Sequence, residues 1–426
     1  MSENNINNFQ TLIEQRRIVK KVVEKSLLAF GVPDKKAVSD YRPAGILFED
    51  LVAQLSEETG GAPVNTWNYP TAAFVDPSTT VVTGVVGDGN KPFRTVDLAN
   101  AASSLRILLP GEYFGNINVT TGTYICMPGV TFSSNSKLRD AGEYGDIKIL
   151  GHAVFAAFSY GIETSGGSNI YVECLDFDKT RSVAFGLAGG TINIKARNIL
   201  CNTENGAGYA SSLKEGCEIT ITCDQHYTNH FGVSFGSNAD SGKSSVFNLN
   251  CPDVRVLNGG WAGNIAKSLI NDQSVSVYPN ISNINLMGGS LQNLHSVQTS
   301  SFGAFDSALL LYVNNATPSK APIHTFKNGT VYANAFFGLC HHYATTVGTI
   351  GLENLKVKSN TKALNLYLSS LAGNGNWVDH VFDNCMFESV DPNIIGNSQK
   401  CTFIKCTEKV TGVVSSIIDY DALNPE

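Results

Sequence analysis

The feature that most narrows the fold is a short phrase that keeps returning through the chain beyond residue 150. It reads IYVECLDF from 170, INIKARNIL from 192, ITITC from 219, VFNLNC from 246, INLMGGSL from 284, TFKNGTVYA from 325, IGLENLKVKS from 350, VFDNCMFES from 381 and CTFIKC from 401. Each phrase alternates apolar and polar residues at period two, which puts the two sets on opposite faces of an extended strand. No single strand can cover its own apolar face, so each needs the phrase before and after it as cover. Successive starts are about 20 to 41 residues apart, the pattern of a solenoid whose turns carry loops of unequal length. The composition agrees: 40 glycines and only 16% charged residues suit many short strands joined by tight turns. An all-β body of roughly ten to twelve rungs is expected.

The stretch GVVGDGNKPFRTVDLANAASSLRILLPGEYFGNINV, from 84, comes before these phrases. It contains an apolar strand, a Gly-Asp-Gly turn, one small helix from Thr95 to Ala102 and the turn Pro110-Gly111. Val96, Leu98, Ala99 and Ala102 of that helix are available to cover the open end of a stack. The run VGDGNKPFRTVDLANAA, LLPGEYFGNINV, MPGVTF resembles the N-terminal phrase of the pectin-lyase-like superfamily, which includes pectate lyases, pectin esterases, polygalacturonases and bacteriophage tailspikes. The resemblance covers residues 81 to about 410 and implies a right-handed parallel β-helix. It is specific for fold and not for activity, because this fold hosts unrelated chemistries.

Ahead of the body, residues 1–60 carry two helical patterns. Phe9, Leu12, Ile13, Val19, Val22, Val23, Leu27 and Phe30 fall on roughly one face, with Gly31 and Pro33 as stops; a second helix is expected over 44–58, entered after Pro43 and closed by Gly60-Gly61. These helices are too small for a core of their own and need a partner surface or copies of themselves. Pro63, Pro70 and Pro77 mark 61–80 as an extended linker, and 411–426 reads as a C-terminal tail. The formal charge is -7 and the basic residues are dispersed beyond the N-terminus, so no nucleic-acid footprint appears. Arg16, Arg17, Lys20, Lys21 and Lys25 interrupt the first apolar stretch, which excludes a signal-peptide core or a membrane span there. Helices ahead of such a body, without a leader, resemble phage tailspikes and related virion appendages. The resemblance implies a trimer, docking to other virion proteins through 1–60, and a host surface polysaccharide as ligand, in a protein made in the host cytoplasm and carried on the virion.

No residue pattern gives an activity by itself. Glu173, Asp176 and Asp178 form the most suggestive carboxylate cluster for glycoside hydrolysis, although an unbroken strand would put Glu173 on the face opposite the other two. Asp224, His226 and His230 read as polar loop residues rather than metal ligands, and His341-His342 as one inward and one outward histidine. The ten cysteines lack metal spacing and fall mostly inside strand phrases, as buried free thiols do; no metal or cofactor is expected. Trp261, Asp306 and His341 lie between 251 and 345, where the intervals are longest, and are the expected glycan contacts. The paired-Asp and Gly-His-Gly motifs of polygalacturonases and the Gln-Asp-Thr-Leu stretch of pectin esterases are absent, with only Gly151-His152-Ala153 as a distant echo, and Lys195-Ala196-Arg197 does not replace an Arg-Ile-Lys pattern. A glycan-recognising appendage is therefore the leading expectation. A polysaccharide depolymerase, hydrolase or lyase, and a capsid- or tail-associated assembly protein without glycan contact are the alternatives.

Overall fold

In the computed structural model the chain divides into two units, 1–67 and 68–426. Described are residues 69–416 apart from 81–82, 134–136, 141–144, 157–160, 166, 202–208, 215, 229–230, 237–242, 257–269, 273–277, 294–307, 314–321, 335–338, 344–348, 367–378, 392–393 and 396–399. The two expected N-terminal helices lie outside these residues.

The described body is all-β apart from one short helix. Its strands form a 22-stranded and an 11-stranded sheet, and every pairing between named strands is parallel except one at the C-terminal end. Successive repeats pair strand to strand in register, apart from a shift between Phe177 and Thr180 where they pair with Ile199 and Cys201. Ile192 to Cys201 lie against Ile219 to Thr228, and Ile323 to Ala333 against Thr349 to Ser359. Equivalent residues therefore line up in columns that run from rung to rung.

The inward columns make one continuous core. Ile147, Ile170, Ile192, Ile219 and Phe247 stack in one column, and Ile149, Val172, Ile194, Ile221, Leu249 and Ile284 in the next, all 2% exposed or less. Beside them Phe155 stacks between Phe132 and Phe177, with ring centroids 4.9 and 4.5 Å away.

The long strands show how the chain turns. Over Thr191–Cys201, Ile192, Ile194 and Ala196 point inward, Arg197 and Asn198 both point outward, and Ile199 and Cys201 point inward again. The same doubled outward position recurs at Asp224-Gln225 and at Glu353-Asn354. Two parity frames thus meet at a bend, and each rung presents two outward faces of the large sheet. In later rungs the bend is taken by Asn328, Asn354 and Asn384 at φ of 62°, 54° and 51°. Asparagine tolerates this left-handed region best among non-glycine residues. Their amides also bond from rung to rung: Asn354 donates to Asn328 at 3.3 Å and Asn384 to Asn354 at 2.8 Å.

The expected small helix is Val96–Ala102, with Thr95 as its N-cap. Val96 and Ala99 are buried, but Leu98 is 37% exposed and Ala102 also faces out, so only part of the expected apolar set covers the stack. Buried Arg106 completes this end, donating to the Asn100 and Thr121 carbonyls and to the Thr120 hydroxyl while lying 4.8 Å over the Tyr124 ring. Both boundaries of the body differ from expectation. Ala72–Val75, inside the stretch read as linker, is a fully buried strand paired to Leu105–Leu108. Val413–Ser416, inside the expected tail, turns back antiparallel on Thr407–Val410. Prolines flanking a four-residue apolar run hid the first of these strands.

Candidate functional site

The bend decides where the carboxylate cluster faces. Glu173 ends strand Asn169–Glu173 and Asp176 opens strand Asp176–Thr180, with buried Cys174 between them. The break resets the parity, so Glu173, Asp176 and Asp178 all avoid the core, contrary to the unbroken-strand expectation. Two of the three are already engaged. Tyr171 donates its hydroxyl to Glu173 at 3.1 Å, and Lys195 lies 3.9 Å from the same carboxylate. Arg197 holds Asp176 through two nitrogens, at 3.2 and 2.5 Å, and Asn198 adds a third bond at 2.9 Å. Burial, then the neighbouring Glu173, pushes the Tyr171 phenol up to about 12. These contacts suit cross-rung braces more than an acid and base free to exchange protons with a sugar.

His226 is not a loop residue. It lies in strand Glu218–Thr228, fully buried, and neither ring nitrogen reaches a partner beyond its own backbone. Asp224, two residues earlier, is exposed, so the two do not form one site. His230, Trp261 and Asp306 lie outside the described residues. His341 sits in strand Leu339–Tyr343 of the smaller sheet, between Leu311 and Leu366, away from the large sheet's outward faces. No group of three metal-ligating side chains occurs among the described residues, and no helix among them is long and apolar enough to cross a membrane.

A different constellation emerges on the large sheet, on the outward face that follows the bend. The second outward residue of each rung forms one unbroken column: Leu200 faces Tyr227, then Arg255, Gln292, Tyr332, Lys358 and Glu388. The column beside it holds Asn198, Gln225, Asp253, Ser290, Thr330 and Lys356. Rungs are about 4.8 Å apart, so Tyr227 and Tyr332, three steps apart, are separated by ~14 Å along the stack.

The side chains on this strip hold one another in place. Asp253 accepts the Tyr227 hydroxyl at 2.6 Å and a two-pronged bond from Arg255, both prongs at 2.9 Å. The Arg255 guanidinium lies 4.8 Å over the Tyr227 ring. Burial and then the bond to Asp253 push the Tyr227 phenol up to about 12, so at neutral pH it is a neutral donor. Gln292 donates to Ser290 at 3.0 Å. The Tyr332 hydroxyl donates to Asn334 at 3.1 Å and receives Asn360 at 3.2 Å. Further along, Glu388 joins Lys356 at 2.8 Å and Lys358 at 3.4 Å, and the Lys356 bond is the main cause holding its carboxyl below the usual range. All these groups are partly exposed.

The strip is a row of aromatic, amide and charged groups that hold one another in place. It was legible only after the bends were aligned. Each member is the second outward residue past a bend, and the phrases, aligned on their first apolar residue, run out of register there. The stretches holding Trp261 and Asp306 begin directly after Val256 and Asn293, the last residues of the strands that carry Arg255 and Gln292.

No protein-family model, curated protein or solved structure matches the chain.

Proposed function

We propose that the chain is a right-handed parallel β-helix that serves as a rod-like virion appendage and recognises an extended surface glycan on the strip from Tyr227 to Tyr332. The observation that carries this reading is the column itself: two tyrosines flank Arg255 and Gln292 at successive rungs of one sheet face. A polymer of sugars has apolar ring faces edged by hydroxyls. Tyrosine offers the matching pair of an apolar ring and a polar tip, while Arg255 and Gln292 supply donors and acceptors between them. The virion setting rests on the resemblance of the opening phrase and on the helical pattern of 1–60, which would dock the rod to other virion proteins and hold three copies together.

The test is binding of the intact protein to polysaccharide purified from susceptible bacteria, followed by sizing of the polymer. Tyr332→Ala should weaken binding about tenfold, the equivalent of ~1.4 kcal/mol for one lost stacking contact. Gln292→Ala should weaken it a few-fold, and neither change should lower the melting temperature appreciably, because both side chains are partly exposed. Shortened polymer would select the depolymerase. Wild-type binding in both variants would remove the strip from the reading.

A further inference from the structure

Two pairs of cysteines face each other across neighbouring rungs at the bend. Thr222 pairs with Asn250 and Gln225 with Asp253, which places Cys223 opposite Cys251. Met386 pairs with Thr407, which places Cys385 opposite Cys406. All four are buried, and the Cys251, Cys385 and Cys406 thiols donate to backbone carbonyls beside the bend, Cys385 to Asp383 at 3.2 Å and Cys406 to Ile404 at 3.4 Å. Opposed residues of adjacent strands have Cα atoms about 4.8 Å apart, inside the roughly 4.4 to 6.8 Å that a disulfide spans.

The second pair differs in place. The amide of Thr407 donates to the Cys385 carbonyl at 2.9 Å, and the Cys406 thiol lies 3.1 Å from the Phe382 carbonyl on the facing rung. Lys400–Ile404 and Thr407–Val410 are the last parallel strands described, followed only by the antiparallel strand Val413–Ser416, where Val413 and Val414 are 71% and 58% exposed. Local opening costs least at such an end, whereas Cys223 and Cys251 have rungs on both sides.

We propose that Cys385 and Cys406 are an oxidisable pair that takes hydrogen peroxide as its oxidant and closes a disulfide between the last two rungs. The Cys406 thiolate attacks one peroxide oxygen, the O–O bond breaks, and a sulfenic acid and hydroxide form. The Cys385 sulfur then attacks the Cys406 sulfur, the S–O bond breaks, and the Cys385 proton leaves with the oxygen as water. Overall two thiols lose two electrons and two protons, and one hydrogen peroxide becomes two waters. The roles follow from position: Cys406 lies on the last described parallel rung, which opens first, while Cys385 keeps a further rung on its inner side. The product would pin the last described parallel rung to the one before it.

The experiment exposes the intact protein to hydrogen peroxide, quenches it, alkylates under denaturing conditions and maps the peptides by mass spectrometry. The expected result is a cross-link joining the Cys385 and Cys406 peptides, with Cys223 and Cys251 still alkylated. Amide exchange over 407–410 should then slow about tenfold. In Cys385→Ser the cross-link should vanish and a sulfenic acid, trapped with a 1,3-dione, should appear at Cys406. Recovery of both thiols alkylated at peroxide doses that oxidise the protein's methionines would overturn the proposal. So would a cross-link confined to Cys223 and Cys251.

Discussion

At the scale of single residues, the buried ring of His226 leads to a prediction about acid stability. Its ring is fully buried between Ile199 and Val254 in the same column, and burial is the main cause that pushes its pKa down from 6.5 to about 4. A folded-state pKa below the unfolded value means that the unfolded chain takes up a proton first. The contribution of His226 to stability is therefore whole above about pH 6.5, falls as pH drops towards 4, and levels off once the folded ring also protonates. The loss should be on the order of 3 kcal/mol. His226→Leu removes the titration while keeping a side chain for the column. Urea unfolding of the variant should lose most of the slope between pH 6.5 and 4 that the natural protein shows, and an unchanged slope would assign it to other groups. The sequence concealed this role. Asp224, His226 and His230 look alike as polar residues in CDQHYTNHF, and only the doubled outward position at Asp224-Gln225 reveals that His226 returns to the core.

At the scale of elements, most of the architecture was legible and the bends were not. Period-two alternation located the strands, because any residue one step out of phase would put a polar side chain into the core. The parity reset is invisible to that rule, which is why Glu173 seemed to face away from Asp176 and why the Tyr227 to Tyr332 column passed unseen. The later bends offer a direct test of what holds them. Asn354 combines a left-handed backbone with amide bonds to Asn328 and from Asn384. Asn354→Ala should cost about 1 to 2 kcal/mol, from backbone strain and the broken ladder together. Asn354→Gly should cost less, since glycine relieves the strain and forfeits only the ladder. Equal losses in denaturant titrations would mean that the ladder alone matters. In the core, Phe155→Ala removes the middle ring of the Phe132, Phe155, Phe177 stack and should cost about 3 to 5 kcal/mol, because the rungs above and below cannot close the gap.

At the scale of the whole molecule, the body explains its own stacking but not its assembly. Among the described residues each rung covers the apolar faces of its neighbours, and outward positions such as Asn248, Asn283 and Thr330 carry partly exposed polar groups. The sequence places the larger apolar demand at 9–30, where Phe9, Leu12, Val19, Val23 and Phe30 share a helical face beside Arg16, Arg17, Lys20 and Lys21. An amphipathic helix of that kind gains most by packing against copies of itself or an acidic partner. On the proposed reading the intact protein is a trimer at micromolar concentration, and deletion of residues 1–60 gives a folded monomer with an undiminished β-sheet circular dichroism signal. Light scattering with static mass determination on both forms decides the matter. A trimer that survives the deletion would move the contact to the body, where the strand carrying exposed Val413 and Val414 offers apolar surface. A monomer in both forms would remove self-association from the reading and leave 1–60 to a different chain. The strip from Tyr227 to Tyr332 would be untouched by either result, because all of its residues belong to one copy of the chain.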